Sequence, residues 1–398
     1  MMKSGRLQAI FLYLHPLILT QMKQRTVRAI ITLVTVSFTL SGCLTRTGPG
    51  EDQSMDPAQR RAFEKSSRPD IESKIDGLLS QMTIEEKIGQ MMQLNQSAIV
   101  AESNWGAGTD LRIVTKLDTG KLGPILRKYH VGSFLNGIAI PAETWYTFYK
   151  DIQEFNMKTS RLKIPVIYGV DHMHGPNYLE GGTIFPHAIN TAATFNNQVP
   201  ADMARVTAIE TADLGHLWLF APVLDLGRTP LWGRFYETLG ESPHVAKTMA
   251  GIYIRTVQNE EDIAPYKIAA TAKHFLGYSD PKYGWDRGVT DMSEQAMYEF
   301  HVPAFQAAVD AGIRSFMINS GEVNGEPVHS SYRLLTTLLR DEMKFKGVVV
   351  TDWEDIIRLW RNHRTALDER DATYQAISAG IDVAMTPYTT DFGDHLLA

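Results

Sequence analysis

The sequence predicts an α/β fold, a (β/α)8 barrel of the TIM type over residues 71–398, on three observations. Short apolar runs alternate with amphipathic stretches, as strands alternate with helices. Seven or eight such units fill about 320 residues, which favours a closed barrel over an open sheet. Five runs end in polar groups: Asp171, Asp225, Lys273 with His274, Asn319 with Ser320, and Asp352. In a (β/α)8 barrel that end of the strands is the catalytic face.

Residues 22–43 come before the barrel and read as a secretory signal. Lys23, Arg25 and Arg28 form its basic region, and Ala29 to Leu40 its apolar region. The run is too short to span a bilayer core of about 30 Å. Its end, Leu40-Ser41-Gly42-Cys43, resembles a bacterial lipobox, which implies cleavage before Cys43 and lipidation of its thiol. Residues 1–21 precede a complete signal, so Met22 is the expected start. Residues 44–70 are polar and read as a tether. Cys43 is the only cysteine, so an intrachain disulfide and a zinc-thiolate cluster are both excluded.

Thr83-Ile84-Glu85-Glu86 is a capping-box pattern, expected to open a helix through Ile88 and Met91. The expected strands are Gly132–Leu135, Pro165–Val170, Leu217–Pro222, Ile268–His274, Ile313–Asn319, Gly347–Asp352 and Ile381–Met385. A helix is expected from Ser293 to Asp310, stopped by Gly312. The chain is 44% hydrophobic and 21% charged with a net charge of −6, a balance that suits a globular core and gives no basic surface for nucleic acid.

The chemistry concentrates in five motifs: Asp171-His-Met-His-Gly175, Trp232-Gly-Arg-Phe-Tyr-Glu237, Ala272-Lys-His-Phe-Leu-Gly277, Lys346-Gly-Val-Val-Val-Thr-Asp-Trp353 and Ala379-Gly-Ile-Asp-Val-Ala-Met385. Taken alone, Asp352 at the end of a valine strand reads equally as a nucleophile or as the cap of the next helix. In this order the five motifs resemble the N-terminal domain of glycoside hydrolase family 3, of the β-glucosidase type, over residues 71 to 398.

The resemblance implies hydrolysis of terminal β-D-glucosyl residues from β-linked oligosaccharides with retention, with Asp352 as nucleophile. It implies that Asp171, Arg234, Lys273 and His274 hold sugar hydroxyls, that Trp353 walls the subsite and that Met317 touches it. Trp285 and Asp286 lie on a turn-rich loop that could line the site. No cofactor is implied, and the only membrane contact expected is the lipid at Cys43, placing the protein in the periplasm or on the outer membrane.

Three departures from the family stand out. No histidine lies between His274 and His301, which argues against N-acetylhexosaminidase. Ser320 stands where many members have an aromatic residue. The β-glucosidase branch draws its general acid from a second α/β domain, and the sequence stops at Ala398, so the closing helix and that domain are expected to be missing and the acid to come from a second domain or chain.

Two rivals remain. His172-Met-His174, with Lys273, His274, His301 and Asp382, could mark a metal-dependent amidohydrolase. A non-catalytic carbohydrate-binding fragment would keep the sugar contacts and lack the acid.

Overall fold

In the computed structural model, residues 69–101, 115–260, 262 and 267–398 are described. The expected signal segment, Cys43 and residues 44–68 lie outside the described residues. A helix, Pro69–Gln81, begins where the tether was expected to end.

Eight parallel strands form the barrel: β1 Met92–Asn95, β2 Ser133–Leu135, β3 Ile167–Val170, β4 Trp218–Leu219, β5 Ala269–Phe275, β6 Ser315–Ile318, β7 Val348–Val350 and β8 Ala384–Met385. They pair in chain order, and β1 pairs with β8 in the register Met92↔Ala384. A parallel bridge, Val350↔Val383, brings β7 to β8 and closes the ring. Seven of these strands fall where the sequence places them, most with shorter ends; β1 was not anticipated.

The valines of β7 show why such runs become barrel strands. Val348, Val349 and Val350 are fully buried, one face in the barrel and the other against the helices. The lower interior is polar where it is satisfied. Trp218 Nε1 donates to Thr271 Oγ1 at 3.0 Å and to Ser315 Oγ at 2.9 Å. Below, Asp382 accepts from Arg340 at 2.5 Å and from the Val349 amide at 2.9 Å, stitching β7 to β8.

The capping box forms as expected at Thr83 and Glu86, but its helix is Ile84–Gly89 and stops before Met91. Glu86 also accepts from Arg161 at 2.9 and 2.5 Å, which ties the entrance of β1 to the loop before β3. Arg161 is half-exposed, so water screens the ion pair and the cap carries much of the effect. Glu86→Ala is expected to lower stability by about 2 kcal/mol, read from a urea midpoint, with no change in the site.

The helix expected from Ser293 is present, with a π turn at Met297–His301 before Val302–Asp310, and Gly312 follows at φ 78°. The absence of a closing helix is corrected: Asp391–Leu397 is helical. Its Phe392 is buried, and Gly393 lies against Met92 and Ile88, where a Cβ would meet the Met92 thioether at 3.1 Å. The segment reads as polar and short, so only packing against the barrel floor makes it a helix.

A three-stranded ribbon at the mouth, Val289–Thr290, Glu322–Val323 and Glu326–Pro327, joins the loops after β5 and β6. It fixes Arg287 and Ser320, which flank its strands, on one side of the mouth.

Candidate active site

Asp352 follows β7 by two residues, and its carboxylate is nearly buried. Oδ1 accepts from the Trp353 amide at 2.5 Å, and Oδ2 accepts from Ser320 Oγ at 3.0 Å. Arg287 Nη2 stands 3.7 Å from Oδ1, and His274 Nε2 stands 3.6 Å from Oδ2. Burial alone would raise this carboxyl. Arg287, Arg234, the Trp353 amide and Lys273 together outweigh burial and hold it below the ordinary aspartate value. The group is therefore an anion with little solvent around it.

It does not cap the next helix. The helix Asp355–Arg361 has Glu354 at its N-cap position, with a left-handed backbone and no side-chain cap bond.

Lys273 and His274 are consecutive residues, and in a regular strand they would point to opposite faces. The β5–β6 register shifts between Ala272 and Phe275, and this irregularity brings both side chains to the mouth. Lys273 Nζ binds Asp171 Oδ1 at 2.6 Å. His274 Nδ1 lies 2.7 Å from Asp225 Oδ2, which also accepts the His274 amide at 3.0 Å.

Burial pushes Asp225 up to about 8, against the lowering effects of the His274 amide, Arg234 and Lys273. Burial, then Arg234, Lys273 and Arg287, keep His274 neutral. Near neutral pH the pair thus holds one proton between Oδ2 and Nδ1. When that proton sits on Asp225, His274 presents Nε2–H toward Asp352 and any bound hydroxyl.

Asp225→Ala is expected to lower kcat/KM roughly 10–100-fold, because the imidazole loses the partner that sets its tautomer. Asp225→Asn is expected to lose activity as well, because a single carboxamide atom cannot both accept the His274 backbone N–H and donate to Nδ1 as the protonated Oδ2 does.

Arg234 is held by Glu237 through two parallel bonds of 2.9 and 2.7 Å, and lies 5.6 Å from the Tyr278 ring centroid. Trp353 meets Tyr388 edge to face at 5.5 Å. Asp286 Oδ1 accepts from Trp232 Nε1 at 3.0 Å, placing it on the Arg234 side.

A family profile, Glycosyl hydrolase family 3 N terminal domain, matches residues 83–392. The chain belongs to glycosyl hydrolase family 3. It is 40% identical over 334 residues to a lysosomal beta glucosidase of Dictyostelium discoideum, covering 80% of this chain and 40% of that protein. It is 30% identical over 311 residues to a periplasmic beta-glucosidase of Salmonella typhimurium, covering 78% and 37% respectively. Among solved structures, an exo-1,3/1,4-beta-glucanase of a Pseudoalteromonas species is similar at 30% identity and a TM-score of 0.69, covering 83% of this chain and 39% of that one. The chain thus spans about two fifths of the length of these relatives.

In this family 3 barrel, Asp171, Arg234, Lys273, His274 and Asp352 converge on one mouth, with Trp353 and Asp286 at its rim. Met317 is 3% exposed on β6, two residues beyond Ser315, and Trp285 is 75% exposed on the loop that also carries Asp286 and Arg287.

The residues enlisted for a metal centre diverge. His172 Nδ1 pairs with Thr211 at 2.9 Å in the core, and His174 Nδ1 with the Phe185 carbonyl at 2.8 Å. His301 lies on the π turn, 3.9 Å from Asp280, and Asp382 is at the barrel floor.

Sequence reasoning left Arg287, Asp355 and His329 unassigned. Arg287 Nη1 binds Asp355 Oδ1 at 2.7 Å while Nη2 faces Asp352, so one guanidinium spans two buried carboxyls. Burial and the charge of Asp352 push Asp355 up to about 7. His329, which burial lowers to about 3, is neutral and accepts the Asp352 amide at 3.4 Å. The signal for Arg287 was its place beside Asp286; Asp355 lay unremarked in Thr351-Asp-Trp-Glu-Asp355.

Proposed function

We propose that this chain carries the nucleophile half of a retaining β-glucosidase active site, acting on terminal non-reducing β-D-glucosyl units of oligosaccharides. The observation that carries it is an ionised, nearly buried Asp352 held by Ser320, with Arg287 and His274 close by. Asp352 attacks the anomeric carbon, the leaving alkoxide takes a proton, and water later releases the sugar from the ester. An anion beside the forming oxocarbenium stabilises it, and the dry surroundings strengthen that attraction.

Asp171, Lys273 and Arg234 supply charge-assisted contacts to the sugar hydroxyls, His274 donates from Nε2, and Trp353 offers a flat wall. Asp286, hydrogen-bonded to Trp232, borders the Arg234 side.

The general acid comes from a second domain or another chain. A retaining pair needs two carboxyls about 5–5.5 Å apart. Several of the described carboxylates around the mouth are already engaged: Asp171 with Lys273, Asp225 with His274, Glu237 with Arg234, Asp286 with Trp232, Asp355 with Arg287, and Glu322 with His363 at 2.6 Å. Residues 22–43 direct export, and Cys43 anchors the protein by lipid on the periplasmic side of the outer membrane. No helix among the described residues is long and apolar enough to cross a membrane.

Hydrolysis of an activated aryl β-D-glucoside, followed by proton NMR, tests the mechanism. The β-anomer of glucose is expected to appear first. First appearance of the α-anomer would overturn retention.

A further inference from the structure

One cation serves two buried carboxyls. Arg287, beside the ribbon strand Val289–Thr290, puts Nη1 2.7 Å from Asp355 Oδ1 and Nη2 3.7 Å from Asp352 Oδ1. Asp355 is 1% exposed and Asp352 8%. With so little water between them, a charge on one carboxyl opposes a charge on the other. We propose that the two exchange their charge during turnover: Asp355 holds a proton while Asp352 is the anion, and releases it when the sugar ester neutralises Asp352, becoming the counter-ion of Arg287 in the glycosyl-enzyme. The inference rests on the glycosidase reading above. Asp355 lies behind Arg287, so it is a positioning residue that acts through that cation and not on the sugar.

The contacts of Asp355 divide between its two oxygens. Oδ1 takes Arg287 and, from its own helix, Arg358 Nε at 3.2 Å. Oδ2 has no hydrogen-bond partner and faces His329 Nε2 at 3.7 Å. A proton can therefore enter or leave at Oδ2 without breaking either contact to a cation. A bare carboxylate oxygen in the interior is costly, which favours the acid while Asp352 is charged.

The surroundings of Asp355 give the direction of the exchange. Burial and then the charge of Asp352 raise it, to about 7, while Arg287, Ser320 and Arg358 lower it. Burial keeps His329 neutral, so it adds no charge. On the adjoining helix Glu369–Ala379, Glu369 is engaged with Arg361 at 3.2 Å, and His363 is engaged with Glu322 at 2.6 Å. Of these groups, Asp352 is the one whose charge the reaction changes. Its conversion to an ester removes the largest influence, after burial, that keeps the proton on Asp355, and Arg287 remains to lower it.

The step balances. Asp352 forms a C–O bond to the anomeric carbon as the bond to the leaving group breaks, and the O–H bond of Asp355 breaks as its proton passes to water. When water opens the ester, Asp352 is again an anion and Asp355 takes a proton back. Arg287 thus keeps an anionic neighbour in both states and is not left as an unpaired buried cation beside the ester.

Two measurements test this. In the first, 2,4-dinitrophenyl 2-deoxy-2-fluoro-β-D-glucoside is added to the chain at pH 7 with a pH indicator. The departing phenolate needs no proton, so a released proton comes from the protein. About half a proton per dinitrophenolate is expected, because a group with a value of about 7 is half protonated there. Asp355→Asn is expected to release none per adduct. In the second, carbon-13 NMR follows the aspartate carboxyls, with the Asp355 signal assigned by its loss in Asp355→Asn. Asp355 is expected to titrate about one pH unit or more lower in Asp352→Asn, whose neutral amide stands in for the ester, than in the parent. Circular dichroism checks that each variant is folded, and the proton count on the parent needs no variant. An adduct formed without proton release, or an Asp355 that titrates at the same pH in both proteins, overturns the exchange. A lowered Asp355 in a chain that forms no adduct upholds the coupling of the two carboxyls and overturns the glycosidase reading instead.

Discussion

Asp352→Gly is expected to slow hydrolysis of 2,4-dinitrophenyl β-D-glucoside by about 10⁴-fold or more, with the fold intact by circular dichroism. The leaving group needs no proton, so the loss reports the nucleophile and not the acid. The glycine also opens space on the face from which Asp352 attacks. Azide entering that space is expected to restore turnover and to yield the α-glycosyl azide, since a single displacement inverts the centre. A β-azide, or a variant as active as the parent, would assign attack to another group.

Arg287→Gln is expected to move the acidic limb of kcat/KM to higher pH and to lower its plateau about 100-fold. Arg287 is the largest of the influences that lower the Asp352 carboxyl against burial. Removing it therefore raises that pKa and protonates the nucleophile sooner as pH falls.

Stability shifts in the same direction. A depressed carboxyl stabilises the fold above its unfolded pKa, and that stability is lost as pH falls through the folded value. The variant should therefore lose part of its advantage at neutral pH. Asp355 also loses the cation that lowers it most, and should remain protonated to a higher pH than the parent's value of about 7. A limb that stays in place would show that Arg287 acts on the position of the ribbon and not on the charge of Asp352.

How far the sequence could be read depended on where each property lies. Val348–Val350 and Ile167–Val170 announce themselves, because a strand buried on both faces must be apolar throughout. Met92–Asn95 is just as buried, yet its Gln93 and Asn95 break the apolar run, and only the closed ring of neighbours makes it a strand. The ribbon's two-residue strands leave no periodicity to find.

The same division runs through the site. Asp352, Lys273 and His274 were legible from motifs. The bond from Ser320 to Asp352, the Arg287 bridge and the proton shared by Asp225 and His274 join residues 32 to 68 positions apart, and folding alone brings them together. Met317 was placed at the pocket by its motif, and it is a buried residue of β6, two positions beyond Ser315 toward the mouth.

The central claim is that Asp352 forms a covalent bond to the sugar. A 2-deoxy-2-fluoro-β-D-glucosyl donor with an activated leaving group tests it most directly, because the fluorine slows release of the ester and the leaving group departs without an acid. Peptide mass spectrometry of the treated, folded chain is expected to find one 2-fluoroglucosyl adduct, on Asp352. An adduct on another carboxylate, or none on a chain shown to be folded, would contradict the claim.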